Sequence, residues 1–297
     1  MLRWIKNWML PLAIVTGALT YRFLWPLAEV LPYLIFVMLL LAFSRLSPQD
    51  IHIRRGHGWL LLIQIGGGAV VYFALLPAES ILAEGAMVCV LAPTAATSVV
   101  VTALLGGDVA FLACYQILSY LALAVSAPLL FSLTAATSGG APFVATFLFV
   151  CRRVLPTVLL PLLLAWLIRR VAPAVHSRLE SVHGLAFYLW AVMLILVTAQ
   201  TLHVLTESDH PPYGVVAALA GVSIVCCAGQ FLLGRFIGHR SGDAIAAGQG
   251  LGQKNTILAI WMAQTYLAPA AFIAPATYVL WQTAVNALEL YRFRQKG

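Results

Sequence analysis

The stretch that decides the fold of this chain is Gln249-Gly-Leu-Gly-Gln-Lys-Asn-Thr256. Apolar segments flank it, Ala244-Ile-Ala-Ala247 before it and Ile257 to Trp261 after it. This pattern predicts that Lys254 lies at membrane depth, where insertion scales put the cost of a cation at about 2.5 kcal/mol or more. Such a residue is retained when a partner compensates its charge or a function uses it. The groups that face Lys254 therefore decide what this chain does.

The composition of the chain is that of a membrane protein. Of its 297 residues, 62% are hydrophobic and 9% are charged, and the mean hydropathy is +0.95. A typical soluble domain is about 25% charged, so the composition predicts a polytopic membrane protein. The net charge of +7 is typical of the cationic loops that membrane proteins keep in the cytoplasm. We therefore expect the lipid bilayer as a partner and no nucleic acid.

The apolar runs predict about ten transmembrane spans, since one span needs about 20 apolar residues. Pro, Gly or charged residues separate the runs. The predicted spans are 8–25, 28–45, 58–76, 79–105, 108–133, 143–169, 183–206, 212–236, 243–267 and 270–291.

The basic residues orient these spans. Lys and Arg cluster at alternate span ends, which makes that side cytoplasmic, and we expect both termini on the cytoplasmic side of the cell (inner) membrane. The N-terminal run is predicted to be the first span and not a signal peptide, because no cleavage site follows it. Among the exceptions, Arg22 is expected to snorkel to the interface, while Arg152 and Arg153 lie near the outer end of a partly interfacial segment. The acidic residues assigned to the opposite loops are Glu29, Glu79, Glu84, Glu207 and Asp209.

The fourth predicted span is interrupted at Pro93-Thr-Ala-Ala-Thr-Ser98. Pro93 has no backbone N–H and obstructs the preceding helical turn. Thr94, Thr97 and Ser98 are predicted to satisfy the freed backbone groups and to cap a second half-helix.

The ninth predicted span is interrupted as well, because Gly250 and Gly252 allow an unwound turn over residues 249–253. Glycine and proline are ordinary in membrane helices, but these two breaks occupy matching places, fourth of five spans and ninth of ten. That arrangement predicts two inverted repeats, about 1–135 and about 142–297, whose broken helices cross at the midplane.

Backbone polarity at such a crossing predicts the kind of ligand. Half-helices that start near Ser98 and Asn255 present the positive ends of their dipoles, which favour an anion. Unwound carbonyl groups of residues 94–96 and 249–251 favour a cation. We therefore expect an organic anion that is carried together with a cation.

Several motifs resemble those of the bile acid:sodium symporter family, and the likeness covers nearly the whole chain. Pro93 to Ser98 resembles the fourth-helix motif, and Gly250-Leu-Gly-Gln-Lys-Asn-Thr256 resembles the ninth-helix motif, commonly E-V-G-x-Q-N-S. The chain is thus identified as a bacterial-type member of that family. The resemblance implies a panel of helices (about 8–45 and 143–206) and a core (about 58–133 and 212–291) that binds two sodium ions and an organic anion.

The chain departs from this family at the sodium ligands. Gly250 stands where relatives have a glutamate, Lys254 replaces a glutamine, and Val99 replaces an asparagine. The hydroxyl ligands of the fifth helix fall at Leu112 and Gln116. The sodium sites implied by the resemblance are therefore degenerate.

These departures suggest that the Lys254 ammonium replaces one sodium ion, supported by Gln64 and by unwound carbonyl groups. Transport would then be independent of sodium, either uniport-like or proton-coupled. In the alternative, Lys254 snorkels to an aqueous vestibule and only attracts anions.

The predicted function is a secondary active transporter of a small or amphipathic organic anion, bile-acid-like or a carboxylate, working by alternating access. The alternatives are a sodium-coupled symporter that uses residual sites and a receptor or sensor that does not transport. We expect no enzyme activity and no cofactor, with sodium or a proton as the coupling ion. Single amides within spans, such as Gln230 and Gln264, are predicted to form interhelical hydrogen bonds. The candidate substrate contacts are Thr94, Thr97, Ser98, Asn255, Thr256, Gln282 and Thr283; the candidate cation-site or coupling residues are Lys254, Gln64, Ser98, Gln116, Gln249, Gly250 and Gln253.

Overall fold

The computed structural model describes residues 2–137, 142–182, 184–207 and 211–296. These ranges are helices joined by short turns, and an isolated β-bridge pairs Thr94 with Lys254. Within them, six helical runs are long and apolar enough to cross a membrane. The prediction of an all-α polytopic membrane protein is confirmed, whereas ten spans in two inverted repeats stay a prediction. The six runs are Pro11–Phe43, Arg55–Leu75, Val109–Thr137, Phe143–Val171, Leu185–His203 and Tyr213–Ser241.

The helices follow the predicted spans closely. Each of the two polar breaks divides a predicted span into two shorter helices. The α-helices are α1 (Leu2–Leu24), α2 (Leu31–Phe43), α3 (Arg55–Leu62), α4 (Gly68–Leu75), α5 (Ser80–Leu91), α6 (Ser98–Leu104), α7 (Val109–Thr137), α8 (Phe143–Val171), α9 (Pro173–Ser181), α10 (Leu185–Glu207), α11 (Tyr213–Ser241), α12 (Ala244–Gly252), α13 (Thr256–Tyr266) and α14 (Ile273–Lys296). A π-helix, Ile63–Gly67, joins α3 to α4.

The predicted gap between the first two spans is helical in the structure. A 3-10 helix, Trp25–Val30, connects α1 directly to α2. Each of the two segments that follow α1 has a proline in its first turn. Proline is tolerated there because the first N–H groups of a helix have no intrahelical acceptor. Trp25-Pro26 therefore changes the type of helix without forming a loop.

Residue contacts divide the chain into two compact units. The first unit comprises Met1–Arg45 and Pro156–Pro212, and the second comprises Leu46–Leu155 and Tyr213–Gly297. In the first unit α1 packs along α10. His176 of α9 shares a hydrogen bond of 2.9 Å with the carbonyl of Ser44. The division into panel and core that the resemblance implies stays a prediction.

Glu84 is not the loop residue that was predicted. It lies in α5, is 5% exposed, and its Oε2 accepts a hydrogen bond of 2.7 Å from the backbone N–H of Ala268. That N–H belongs to the turn after α13, where no helical acceptor serves it. The carboxylate is therefore kept inside the second unit because it satisfies a backbone donor.

The closest helix pair of the second unit is α11 with α12, and glycine permits their approach. A Cβ atom added at Gly234 would collide with the backbone of Ala247, and one added at Gly238 would collide with that of Asp243. Small residues at helix interfaces in membranes allow this close backbone packing. The α11–α12 contact fixes the start of the second broken helix.

We expect Gly234→Ala to lower the free energy of unfolding by roughly 1–3 kcal/mol, because the added methyl group overpacks the contact with α12. The measurement is thermal unfolding of the detergent-purified protein. Gly229→Ala is the matched control, since a Cβ at this other α11 glycine meets no atom within 4 Å. Equal effects of the two substitutions would contradict the tight α11–α12 contact.

Candidate functional site

The two polar breaks lie against each other in the second unit. The first separates α5 from α6 and the second separates α12 from α13. The N–H of Ala95 donates to the carbonyl of Gln253 at 2.9 Å, and the N–H of Asn255 donates to the carbonyl of Pro93 at 2.8 Å. The structure thus joins the two predicted interruptions by a short antiparallel pairing.

The second break lies later in the chain than predicted. Residues 249–252 are the last helical residues of α12, and the extended backbone is Gln253 to Asn255. The prediction that the carbonyl groups of residues 249–251 belong to an unwound turn is therefore wrong, because these residues are helical. The glycines there serve packing: a Cβ at Gly252 would collide with the ring of Phe231.

The first break leaves the last turn of α5 without its usual donors. Pro93 has no N–H. The N–H of Thr94 donates instead to Ser119 Oγ at 3.2 Å, and that of Ala95 donates to Gln253. The three carbonyl groups four residues before these positions consequently have no helical partner.

Side chains from three different segments supply the missing donors. Each uses a nitrogen, and each reaches one carbonyl of the last turn of α5. Gln230 Nε2 donates to Cys89 at 3.2 Å, Lys254 Nζ to Val90 at 2.9 Å and Gln64 Nε2 to Leu91 at 3.0 Å. The carbonyl end of α5 is therefore satisfied from α11, from the second break and from the π-helix.

Lys254 is buried at this helix end, with 1% of its surface exposed. Its ammonium lies where the negative end of the α5 dipole favours a cation. Its backbone N–H donates to Gln282 Oε1 at 2.9 Å. The alternative in which Lys254 snorkels to an aqueous vestibule is not the arrangement in the structure, because the side chain points inward to Val90.

Gln64 is near this site but does not support the ammonium as predicted. Its amide nitrogen donates to Leu91 and to the carbonyl of Ser119 at 3.2 Å, and its Oε1 accepts from the Tyr115 hydroxyl at 3.0 Å. The polar atoms of this amide are thus engaged elsewhere. Gln64 lies in the π-helix, a distortion that is frequent at functional sites.

The position of the family carboxylate is closed by packing. A Cβ added at Gly250 would lie 2.8 Å from Tyr115 Cδ1 and 3.1 Å from Leu112 Cδ1. Both of these α7 residues are fully buried. A glutamate at position 250, which the family motif resembled by this stretch would have, would require both side chains to move.

Most of the predicted substrate contacts are buried and bonded within the protein. Thr94 Oγ1 donates to Gly250 at 2.7 Å, and Ser98 Oγ donates to Ala95 at 2.6 Å. Asn255 caps α13 through the N–H of Leu258 and donates to the Tyr120 hydroxyl at 2.7 Å. Thr256 and Gln282 are also buried.

Thr97 differs from these residues because it is exposed beside the pairing. Its Oγ1 accepts a hydrogen bond of 2.8 Å from Gln253 Nε2. The prediction that Thr97 caps α6 with its side chain is wrong, because the hydroxyl is turned toward the second break. Thr97 is thus the exposed partner of this hydrogen bond, and Gln253 is its buried partner.

Three further candidates lie elsewhere in the second unit. Thr283 is exposed and its hydroxyl donates to the Val279 carbonyl of its own helix at 2.7 Å, so the structure gives it no part in the pairing. Gln116 is buried in α7. Gln249 Nε2 donates to Asn286 and Glu289 of α14, and Glu289 pairs with Arg235 at 2.5 Å.

The sequence interpretation missed the residues of α7 that complete the site. Tyr115 and Ser119 are four positions apart and therefore share one helix face, which is the signal that indicates them. Gln230 was assigned only a generic interhelical hydrogen bond; that bond is confirmed, and its acceptors are Cys89 and the Tyr278 hydroxyl.

Comparison with known proteins identifies a family for this chain. A family model described as the sodium bile acid symporter family matches residues 18–208. The chain belongs to the sodium bile acid symporter family. Members of this family are transporters, and the match covers the first break but ends before the second. A search of curated proteins found no match. In this symporter-family chain the apolar contact at Gly250 and the buried Lys254 occupy the ninth-helix motif.

We expect Gln64→Leu to lower the free energy of unfolding, because it leaves the buried carbonyl of Leu91 without its donor and leaves the Tyr115 hydroxyl only the longer hydrogen bond to Leu60. An unmade buried hydrogen bond costs about 1–3 kcal/mol. Thermal unfolding in detergent measures the loss. Thr283→Val is the control, since its hydroxyl bonds only to its own helix; a Gln64→Leu protein as stable as this control would contradict the assigned role.

Proposed function

We propose that this protein is a secondary transporter that moves a small or amphipathic organic anion by alternating access, with the Lys254 ammonium in place of one sodium ion. The observation that carries the proposal is the hydrogen bond of 2.9 Å from buried Lys254 Nζ to the Val90 carbonyl at the end of α5. Backbone carbonyl groups are ligands of hard cations. A tethered ammonium supplies the same charge without an ion from solution.

The packing around Gly250 supports the replacement of sodium. A sodium ion needs oxygen ligands and is balanced by a carboxylate in the related motif. Here Tyr115 and Leu112 fill the space beside Gly250, and Gln64 Oε1 accepts from Tyr115. The added cation and the missing carboxylate each raise the charge of the site by one, so together they would make up for sodium ions that no longer bind.

The exposed edge of the crossing supports an anionic ligand with polar groups. Thr97 offers an exposed hydroxyl there, and the buried amide of Gln253 donates to it from behind. α13 starts beside them, and its positive dipole end favours a negative charge. The description of the family names bile acids, which are apolar molecules with one acidic group.

The orientation proposed is that both termini lie in the cytoplasm, at the cell (inner) membrane. The last turns of α8 and α11 carry basic residues, which supports this orientation by the positive-inside rule.

We expect uptake of radiolabelled cholate into proteoliposomes to stay within twofold when sodium is exchanged for choline, because Lys254 supplies the cation. Strict dependence on sodium would defeat the replacement. If Lys254 also carries a proton during the cycle, uptake varies with pH and this variation disappears in Lys254→Gln.

The family motif can also be restored as a test. The double substitution Gly250→Glu with Lys254→Gln should not create sodium dependence and should lower the thermal stability, because Tyr115 and Leu112 occupy the space of the new carboxylate. Adding Tyr115→Ala and Leu112→Ser to the double variant removes the two side chains beside position 250 and opens space for the glutamate. A sodium-dependent gain of stability in the double variant alone would show that packing does not close the site.

Binding of cholate without uptake by the wild type would favour a receptor instead of a transporter.

A third test concerns the conformational change. The boundary between the two units falls within α8 at Pro156, which leaves the carbonyl of Arg152 without an intrahelical partner and weakens the helix there. We expect Pro156→Ala to slow cholate uptake about tenfold with binding unchanged, because it stiffens α8. Pro161→Ala is the control within the same helix, and an equal effect of both substitutions would contradict bending at Pro156.

A further inference from the structure

The last turn of α13 contains polar groups that the crossing does not explain. Tyr266 Oη is buried and has no hydrogen-bond partner among the described residues. The same holds for the side-chain nitrogen and oxygen atoms of Gln264. The prediction of an interhelical hydrogen bond for Gln264 is therefore wrong. Buried polar atoms without partners are costly. This end of α13 therefore has hydrogen-bonding groups that no other group of the described protein satisfies.

Aromatic rings surround Tyr266. Phe131 of α7 stacks on its ring with 5.7 Å between centroids, and Trp261 meets it edge-on at 5.8 Å. Phe149 of α8 meets it edge-on at 6.0 Å and is 47% exposed. Tyr266 thus places a hydroxyl at the edge of an apolar aromatic wall that reaches the surface at Phe149.

An arginine completes the cluster. The Arg153 guanidinium lies 4.8 Å from the centre of the Phe149 ring, a distance at which a cation is attracted to the face of a ring. It is also close enough to Tyr266 to interact electrostatically with the hydroxyl. All four residues of this cluster, Arg153, Phe149, Tyr266 and Phe131, belong to the second unit.

Arg153 is the eleventh of the 29 residues of α8 and lies in the half of the helix toward the side where arginine is disfavoured. Arg169 and Arg170 occupy the last turn of the helix, and 16 residues at 1.5 Å each place Arg153 about 24 Å before them. That distance is close to the roughly 30 Å of the hydrocarbon core. Under the proposed orientation Arg153 therefore lies near the outer surface, contrary to the positive-inside rule.

Local negative charge makes Arg153 necessary for binding an anion here. The carbonyl end of α13 and the carboxylate of Glu84, which holds the N–H of Ala268, both repel an anion. Arg153 offsets this repulsion beside the Tyr266 hydroxyl. The combination of guanidinium, hydroxyl and aromatic wall matches a molecule with one acidic group and an apolar body.

We propose that Arg153 and Tyr266 form a second binding site, at the outer end of the second unit, which receives the carboxylate of an amphipathic organic anion before it reaches the crossing. The aromatic wall of Phe149 contacts the apolar body of the ligand. α13, with 11 residues, spans about 16 Å from this site to the crossing. The inference rests on the proposed function for the identity of the ligand as substrate.

The test is equilibrium binding of radiolabelled cholate to purified protein in proteoliposomes of phosphatidylcholine alone, together with uptake by the same liposomes. We expect Arg153→Gln to weaken binding about tenfold and Tyr266→Phe about threefold. Arg153→Lys should recover only part of the affinity, because lysine keeps the charge but lacks the planar group that stacks on Phe149. Arg152→Gln is the matched control, since this exposed neighbour is displaced by about 100° around the helix and should leave binding within twofold.

Each other result has a defined meaning. Equal losses in Arg152→Gln and Arg153→Gln would overturn the site. Lowered thermal stability with unchanged affinity would also overturn it, because Arg153 would then have only a structural role. A loss that appears only when phosphatidylglycerol is added would assign Arg153 to a lipid head group and overturn the proposal. No binding of cholate by the wild type would overturn it too, because the site is proposed for this ligand class. Binding with the expected pattern but without uptake would support the site and refute transport.

Discussion

The carbonyl end of α5 is the constraint around which the second unit is arranged. Pro93 and the extended residues after it leave three carbonyl groups at membrane depth without helical donors, and such groups cost several kcal/mol each in an apolar medium. Gln230, Lys254 and Gln64 satisfy one each. These donors come from α11, from the second break and from the π-helix, so the end of one half-helix holds three other segments in place. The pairing of the two breaks through Ala95 and Asn255 follows from the same absence of helical partners.

One of the three donors is a lysine, which places an ammonium group at the end of α5. Amide donors would satisfy a carbonyl group equally well, but only the ammonium adds a cation to the negative end of a helix dipole. The apolar contact of Gly250 with Tyr115 and Leu112 fits this change, because it closes the space in which a balancing carboxylate would stand. Under the proposed function the two features act together, since a fixed cation would take the place of sodium and the packing leaves no room for a carboxylate beside it.

Sequence reasoning located the site better than it described the contacts within it. Both interruptions were indicated by composition alone, since proline and polar residues break an apolar run, and the structure joins them. The details that failed have a common cause. Glycine was interpreted as a sign of unwinding at Gly250 and Gly252, whereas close neighbours on α7 and α11 explain both residues. Similarly, Gln64 was expected beside the ammonium, but the nearer Tyr115 hydroxyl and Leu91 carbonyl use its amide. A pattern along one helix contains no information about which residue of another helix lies opposite.

What the sequence determined by itself is the class of the protein, the location of its helices and the presence of a cation at membrane depth. These follow from local physics, because the length of an apolar run, the missing N–H of proline and the cost of a charge in lipid do not depend on distant residues. Only the tertiary structure decided what Lys254 bonds to, that Gly250 leaves no room for a carboxylate, and that Thr283 lies away from the pairing. Those facts depend on distances between segments that are up to 164 positions apart in the chain, as for Lys254 and Val90. Such distances are set by how helices pack, and packing is a property of the folded chain as a whole.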